Sequence, residues 1–168
     1  MASNFDDAAN TNDGSCFDVD LSFNNDQLKT AIQSTCCSNT IFDNECTLDK
    51  NYQRTSIGIH ISEWNTSDVT DMETLLFNSP CKSTFNANIS NWDVGQVTSM
   101  FRMFRDATVF NQDLSAWDVG QVANMHGMFR KASAFNQDLS AWDVGQVATM
   151  RPMFHSAAPL NHDLSAWD

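Results

Sequence analysis

Five tryptophans fall in one register, at Trp64, Trp92, Trp117, Trp142 and Trp167, and the last four recur every 25 residues. The units 92–116 and 117–141 share 18 of 25 residues, and 117–141 and 142–166 share 16. Self-similarity at a fixed period means stacked supersecondary units, none of which can bury its apolar face alone. Residues 64–91 form a diverged copy with three extra residues around Ser79-Pro80-Cys81, so the first tryptophan interval is 28. The tryptophans read as a structural core column, because large and adaptable apolar groups fill the space between two layers.

Within one unit the apolar periodicity changes. Leu114-Ser-Ala-Trp117-Asp-Val119 has the L-x-x-L-x-L spacing found in leucine-rich repeats. It predicts a short strand over 117–119, with Trp117 and Val119 inward and Ala116, Asp118 and Gly120 outward. Met125, Met128, Phe129 and Ala132 then follow at i, i+3, i+4 and i+7, a helical stripe. Asn124, Ser99, Thr149 and Asp71 precede this stripe in successive units, and all four side chains can cap a helix. Thr70-Asp-Met-Glu73 fits a capping box, and Pro152 is tolerated in a first helical turn. The expected fold is therefore α/β, a leucine-rich-repeat-like solenoid of strand–turn–short helix units with an N-terminal helical, Cys-containing cap.

Three segments follow from this reading. Residues 1–20 form an acidic N-terminal segment, 21–63 the cap, and 64–168 the repeat solenoid. Its units are 64–91, 92–116, 117–141 and 142–166, with an open end at 167–168. In the cap, Leu28, Ala31, Ile32 and Cys36 share one helical face behind Asn24 or Asn25, and the alternation over 57–61 predicts a strand. The open end leaves an apolar cross-section for docking or self-association.

The chain's five cysteines, Cys16, Cys36, Cys37, Cys46 and Cys81, all lie in its first half and lack zinc-site spacing. Disulfides in an oxidising compartment are the better reading, with Cys36, Cys37, Cys46 and Cys81 as candidates. Asn65-Thr66-Ser67 and Asn88-Ile89-Ser90 are glycosylation sequons, which make Asn65 and Asn88 candidate acceptors.

Net charge is −12, from 21 acidic and 9 basic residues, which argues against nucleic acid and anionic membranes. No apolar run is long enough for a membrane-spanning helix, and the first residues lack the basic and apolar regions of a signal peptide. The strand register would stack Asp93, Asp118, Asp143 and Asp168 on the outward face, about 4.8 Å apart. Such carboxylates repel by about 1 kcal/mol in water and roughly 3 or more at an effective dielectric near 20. Donors in the turn such as Gln121, bound cations or a basic partner would offset this, which makes the column a candidate interaction face. Asn111, Asn136 and Asn161, with Asp113, Asp138 and Asp163, form a second polar column expected to bond the loop backbone. His60, His126, His155 and His162 sit in unrelated registers and read as surface residues. No nucleophilic, metal or phosphate-binding signature is present, so no enzyme activity and no cofactor are expected.

The repeated Val-Thr-Ser-Met100, Met103-Phe104, Ala107, Phe110-Asn111-Gln-Asp113-Leu114 and Trp117-Asp118 resemble the BspA-like leucine-rich-repeat surface proteins. That family includes the "Mycoplasma lipoprotein type" domain of unknown function. Residues 27–31 followed by 61–72 resemble the usual start of such domains, so the likeness spans about 21–168. The segment from Asn4 to Cys16 resembles short cysteine modules of secreted proteins, with Ser3 where those carry a cysteine. The resemblance implies a non-enzymatic domain, secreted, at the cell surface or in another oxidising or lumenal compartment, that binds a protein partner or mediates adhesion. A structural accessory subunit of a larger assembly is the alternative, and a cation-binding module a third reading.

Overall fold

The computed structural model describes residues 22–36, 47–48, 59–157 and 161–167. Asn24 starts the one α-helix among the described residues: its side chain accepts the backbone N–H of Asp26 and Gln27, while Gln27 Oε1 accepts the N–H of Asn24 at 2.9 Å. This reciprocal box satisfies donors that a helix start otherwise leaves open. α1 (Asn25–Thr30) continues into one π-helical turn (Ala31–Cys36), and Leu28, Ala31 and Ile32 are buried as the stripe predicts. β1 (Thr47–Leu48) pairs antiparallel with β2 (Ile59–His60), which runs into a 3-10 turn over Ile61–Glu63. The strand expected over 57–61 is thus two residues long where it is described, and it does not join the repeats.

Side chains of α1 and of the π-helical turn after it satisfy the first unit's backbone. Asn25 Oδ1 accepts the N–H groups of Thr70 and Asp71 at 2.8 and 3.1 Å, and Gln33 Nε2 donates to the Leu75 carbonyl at 3.0 Å. Lys29 pairs with Asp71 at 2.8 Å. Ahead of α1, Ser22 bridges to Asn65, and the Phe23 ring lies 4.7 Å from that of Trp64. These groups stand where a preceding unit would otherwise supply partners.

The strand–turn–helix solenoid is not the fold. Among the described residues of 64–167 there is no α-helix, and the only strand pairing between units is single parallel bridges. Those bridges link Asp71 to Ser99, Ser99 to Asn124 and Asn124 to Thr149. Residues 117–119 make no ladder because their neighbourhood turns: Trp117 N–H bonds the Leu114 carbonyl and Val122 N–H bonds the Val119 carbonyl. The alternation itself holds, with Trp117 and Val119 buried and Ala116 and Asp118 exposed.

The helical stripe fails for a conformational reason. Arg102 and Asp106 have φ of 53° and 61°, and Gly127 and Lys131 in the next unit have 63° and 62°. A left-handed residue interrupts the right-handed helix. Backbone donors then alternate in direction. The N–H groups of Met100, Arg102, Phe104 and Asp106 reach the carbonyls of Asn124, His126, Met128 and Arg130 in the next unit. Those of Met103, Arg105 and Ala107 reach back three residues within their own unit. A two-turn helix is marginal by itself, whereas each neighbouring unit offers a matching row of carbonyls. Met125, Met128, Phe129 and Ala132 are still fully buried, inside turns instead of along a helix. Pro152 therefore starts no helix; it occupies the register of Arg102 and Gly127.

Asp71, Ser99 and Asn124 do act as side-chain acceptors. Each takes the N–H two residues on, at 2.8, 3.5 and 3.1 Å, which stabilises a turn. The core is a set of columns: Phe104, Phe129 and Phe154 stack at 5.2 and 5.6 Å, and Phe110 lies 6.1 Å from Phe135.

Candidate interaction surfaces

From Trp92 onward, each indole of the tryptophan column donates to the carbonyl three residues before the preceding tryptophan. Trp92, Trp117, Trp142 and Trp167 Nε1 bond the carbonyls of Ile61, Ile89, Leu114 and Leu139 at 2.8, 3.1, 2.9 and 3.1 Å. The same carbonyls accept the backbone N–H of Trp64, Trp92, Trp117 and Trp142. Both acceptor sites of each oxygen are thus used, and the column locks units together.

The outward aspartates are held by backbone, not by Gln121. Asp93, Asp118 and Asp143 Oδ1 accept the N–H of Gly95, Gly120 and Gly145 at 2.9, 3.1 and 3.0 Å. A Cβ at Gly120 would stand 3.3 Å from Asp118 Oδ1, which is why a glycine suits this turn. Asp168 lies outside the described residues. Among those residues no group of three or more His, Cys, Asp or Glu is placed to hold a metal ion.

The second polar column is a ladder. Asn86, Asn111 and Asn136 Oδ1 accept the N–H of Asn111, Asn136 and Asn161 at 2.9, 2.9 and 3.2 Å. Gln137 Nε2 adds bonds to Asn111, and His162 Nε2 lies 3.1 Å from the Asn136 carbonyl. Asp113, Asp138 and Asp163 each take the N–H of the serine two residues on. That N–H, and then the serine hydroxyl, hold all three carboxyls below the ordinary value of 3.8.

Sequence reasoning missed one surface. Phe77, Arg105, Arg130 and His155 share a register, with the Arg105 guanidinium 4.6 Å from the Phe77 ring centre. Beside it, Arg102 lies over Phe101 at 4.5 Å, and His126 stacks on Phe101 at 5.5 Å. The 25-residue register of Arg105, Arg130 and His155 is visible in the sequence, but in a chain of net charge −12 the acidic columns outnumber it.

At the last unit, Val144, Val147, Met150, Leu164 and Trp167 are only partly buried, while their counterparts Val119, Val122, Met125, Leu139 and Trp142 are buried. A cleft of about 320 Å³ between Trp142 and Trp167 is lined by Val144, Val147 and Met150. A second, of about 290 Å³, lies at Trp64, Asn65 and Asp93.

The family model described as "Mycoplasma protein of unknown function, DUF285" matches residues 46–167, well over half of the chain. The chain belongs to this family. No curated protein and no solved structure matches it significantly.

In this DUF285 chain, Asn88 is exposed and its Oδ1 accepts the Ser90 N–H at 3.0 Å. Asn65 is half-buried, its carbonyl accepts the Phe23 N–H, and Thr66 beside it is fully buried. Cys81 is buried, with Ser79 Oγ 3.0 Å from its sulfur. Cys36 lies in the π-helical turn, but its side chain, like Cys16, Cys37 and Cys46, falls outside the described residues. Among those residues the DUF285 chain has no helix long and apolar enough to cross a membrane.

Proposed function

We propose that this chain is a non-enzymatic, secreted or surface-exposed repeat module that binds protein partners, akin to the BspA-like surface proteins. The observation that carries the reading is repetition of the same outward groups, unit after unit, on a core whose polar atoms serve the turns. Nearly identical units present one surface several times, which suits an extended contact; an enzyme site needs unlike groups in distinct roles. A disulfide from Cys81 to Cys36, Cys37 or Cys46 belongs to this reading, because such bonds persist in an oxidising compartment. The exposed Asn88 is the better placed of the two candidate glycan acceptors. The Asp93–Asp118–Asp143 column has one oxygen of each carboxylate already engaged, which leaves a cation-binding role the weakest reading.

The accessory-subunit reading draws on the partly buried residues around the Trp142–Trp167 cleft, which offer an apolar surface to another chain. Cross-linking mass spectrometry of the native protein separates the two. Cross-links spread over the outward columns of several units support the binding module. Cross-links confined to the last unit, within one discrete complex, favour the accessory subunit. Recovery of the native chain with no protein partner would overturn both.

A further inference from the structure

The turns 101–106, 126–131 and 151–156 hold five of the chain's nine lysines and arginines and a single acidic residue, Asp106. Lys82, the sixth basic residue of the repeats, lies 5.0 Å from the Phe77 ring on the same edge. A chain of net charge −12 thus gathers every basic residue of its repeats along one edge. Among the described residues the ion pair on that edge is Arg105 with Asp106, at 3.7 Å, and the buried Nε atoms of Arg105 and Arg130 make no hydrogen bond. Lys131 and Arg151 are exposed. Positive charge here is concentrated and weakly neutralised.

We propose that this edge is the docking face for an acidic peptide segment of a partner protein, an inference that rests on the protein-binding reading above. Three observations select that chemistry. Guanidinium groups match carboxylates in a two-point fork, and the edge is arginine-rich. Both aromatic rings are already occupied, Phe77 by Lys82 and Arg105 and Phe101 by Arg102 and His126, so bases find no stacking platform. The remaining surface repels a long, densely charged polyanion more strongly than a short acidic segment confined to the edge.

The test is fluorescence anisotropy of the full chain with a fluorescein-labelled deca-glutamate peptide. Saturable binding is expected at about 50 mM salt, falling by about tenfold or more at about 500 mM. Lys131→Glu with Arg151→Glu, both exposed side chains, should weaken it by about tenfold or more, with circular dichroism confirming the fold. Arg105→Gln with Arg130→Gln should weaken it severalfold, with circular dichroism confirming the fold. Asp118→Asn with Asp143→Asn should leave it unchanged or slightly tighter. No binding by the native chain, indifference to the Lys131/Arg151 reversal, or preference for single-stranded oligonucleotide or heparin over the peptide would each overturn the proposal. If cross-linked native partners persist in the reversal variant, the edge is wrong and the protein-binding reading survives.

Discussion

The indole N–H of Trp117 donates to the main-chain carbonyl of Ile89 at 3.1 Å, and that carbonyl also accepts the backbone N–H of Trp92. One oxygen therefore closes the turn that leads into unit 92–116 and fastens the start of unit 117–141 to it. Removing the indole donor leaves the turn bond in place, so the two contributions can be separated by substitution.

Trp117→Phe should cost about 1–2 kcal/mol, the bond and some packing, and Trp117→Ala about 3–5 kcal/mol. Urea unfolding followed by circular dichroism gives both values. His126→Ala, which removes a ring stacked on Phe101, should cost no more than about 1 kcal/mol. Equal losses from Trp117→Ala and His126→Ala would contradict the core column.

Gly127→Ala should destabilise by about 1 kcal/mol, because its φ of 63° disfavours any Cβ although the nearest side-chain atom is 3.6 Å away. Lys131→Gly relieves the same penalty at φ 62° while loosening the unfolded chain, so its net effect should lie within about 0.5 kcal/mol of zero. Thermal melts of the two variants, which differ in sign of the backbone effect, test the left-handed assignment.

Asp113, Asp138 and Asp163 bind protons less readily when folded than their ordinary value of 3.8, because serine N–H and hydroxyl groups bond the charged form. A folded-state value below the unfolded one gives stability that is present above about pH 4 and lost as pH falls through the folded value. Urea midpoints should therefore drop as pH falls below about 4. Asp113→Asn with Asp138→Asn, which keeps an acceptor but no titrating group, should flatten that part of the profile.

Asn111→Ala removes the acceptor for Asn136 N–H and for Gln137 Nε2, both at 2.9 Å, and should cost about 1 kcal/mol. Asn111→Asp retains an acceptor oxygen and should cost less. Hydrogen exchange at the Asn136 amide should quicken in the alanine variant and stay slow in the aspartate one.

What the sequence made legible was which side chains are inside. The spacing of Met125, Met128, Phe129 and Ala132 places them in the core, and they are fully buried. The same spacing misassigned their backbone, because inward positions at i, i+3 and i+4 arise equally from successive three-residue turns. The deciding partners, such as the His126 carbonyl for Arg102 N–H, lie a whole unit away. Most left-handed positions were hidden too: Arg102 and Lys131 are not residues that advertise a positive φ, and only Gly127 and Asp106 are of types that favour it. Polar columns read better. The asparagine ladder was anticipated from register, whereas the donors for Asp118 and its counterparts turned out to be glycine amides.

The three additional residues of the first unit reveal where this architecture tolerates growth. Leu76 N–H bonds the Met103 carbonyl 27 residues on, three more than the 24 between Phe104 N–H and the Met128 carbonyl, yet Asn86 and Asn111 already meet at the ordinary 25. The surplus is absorbed between those points, around Ser79, Pro80 and Cys81, and the Trp92–Ile61 bond is undisturbed. One corner of each turn thus sets the pitch while another is elastic in length. New peptide spliced between Leu76 and Ser83, or at the matching corner of later units, should be accommodated at modest entropic cost. That corner adjoins Phe77 beneath Arg105, so lineages could diversify what the molecule recognises by editing a hairpin-sized segment while the stacking rhythm stays intact.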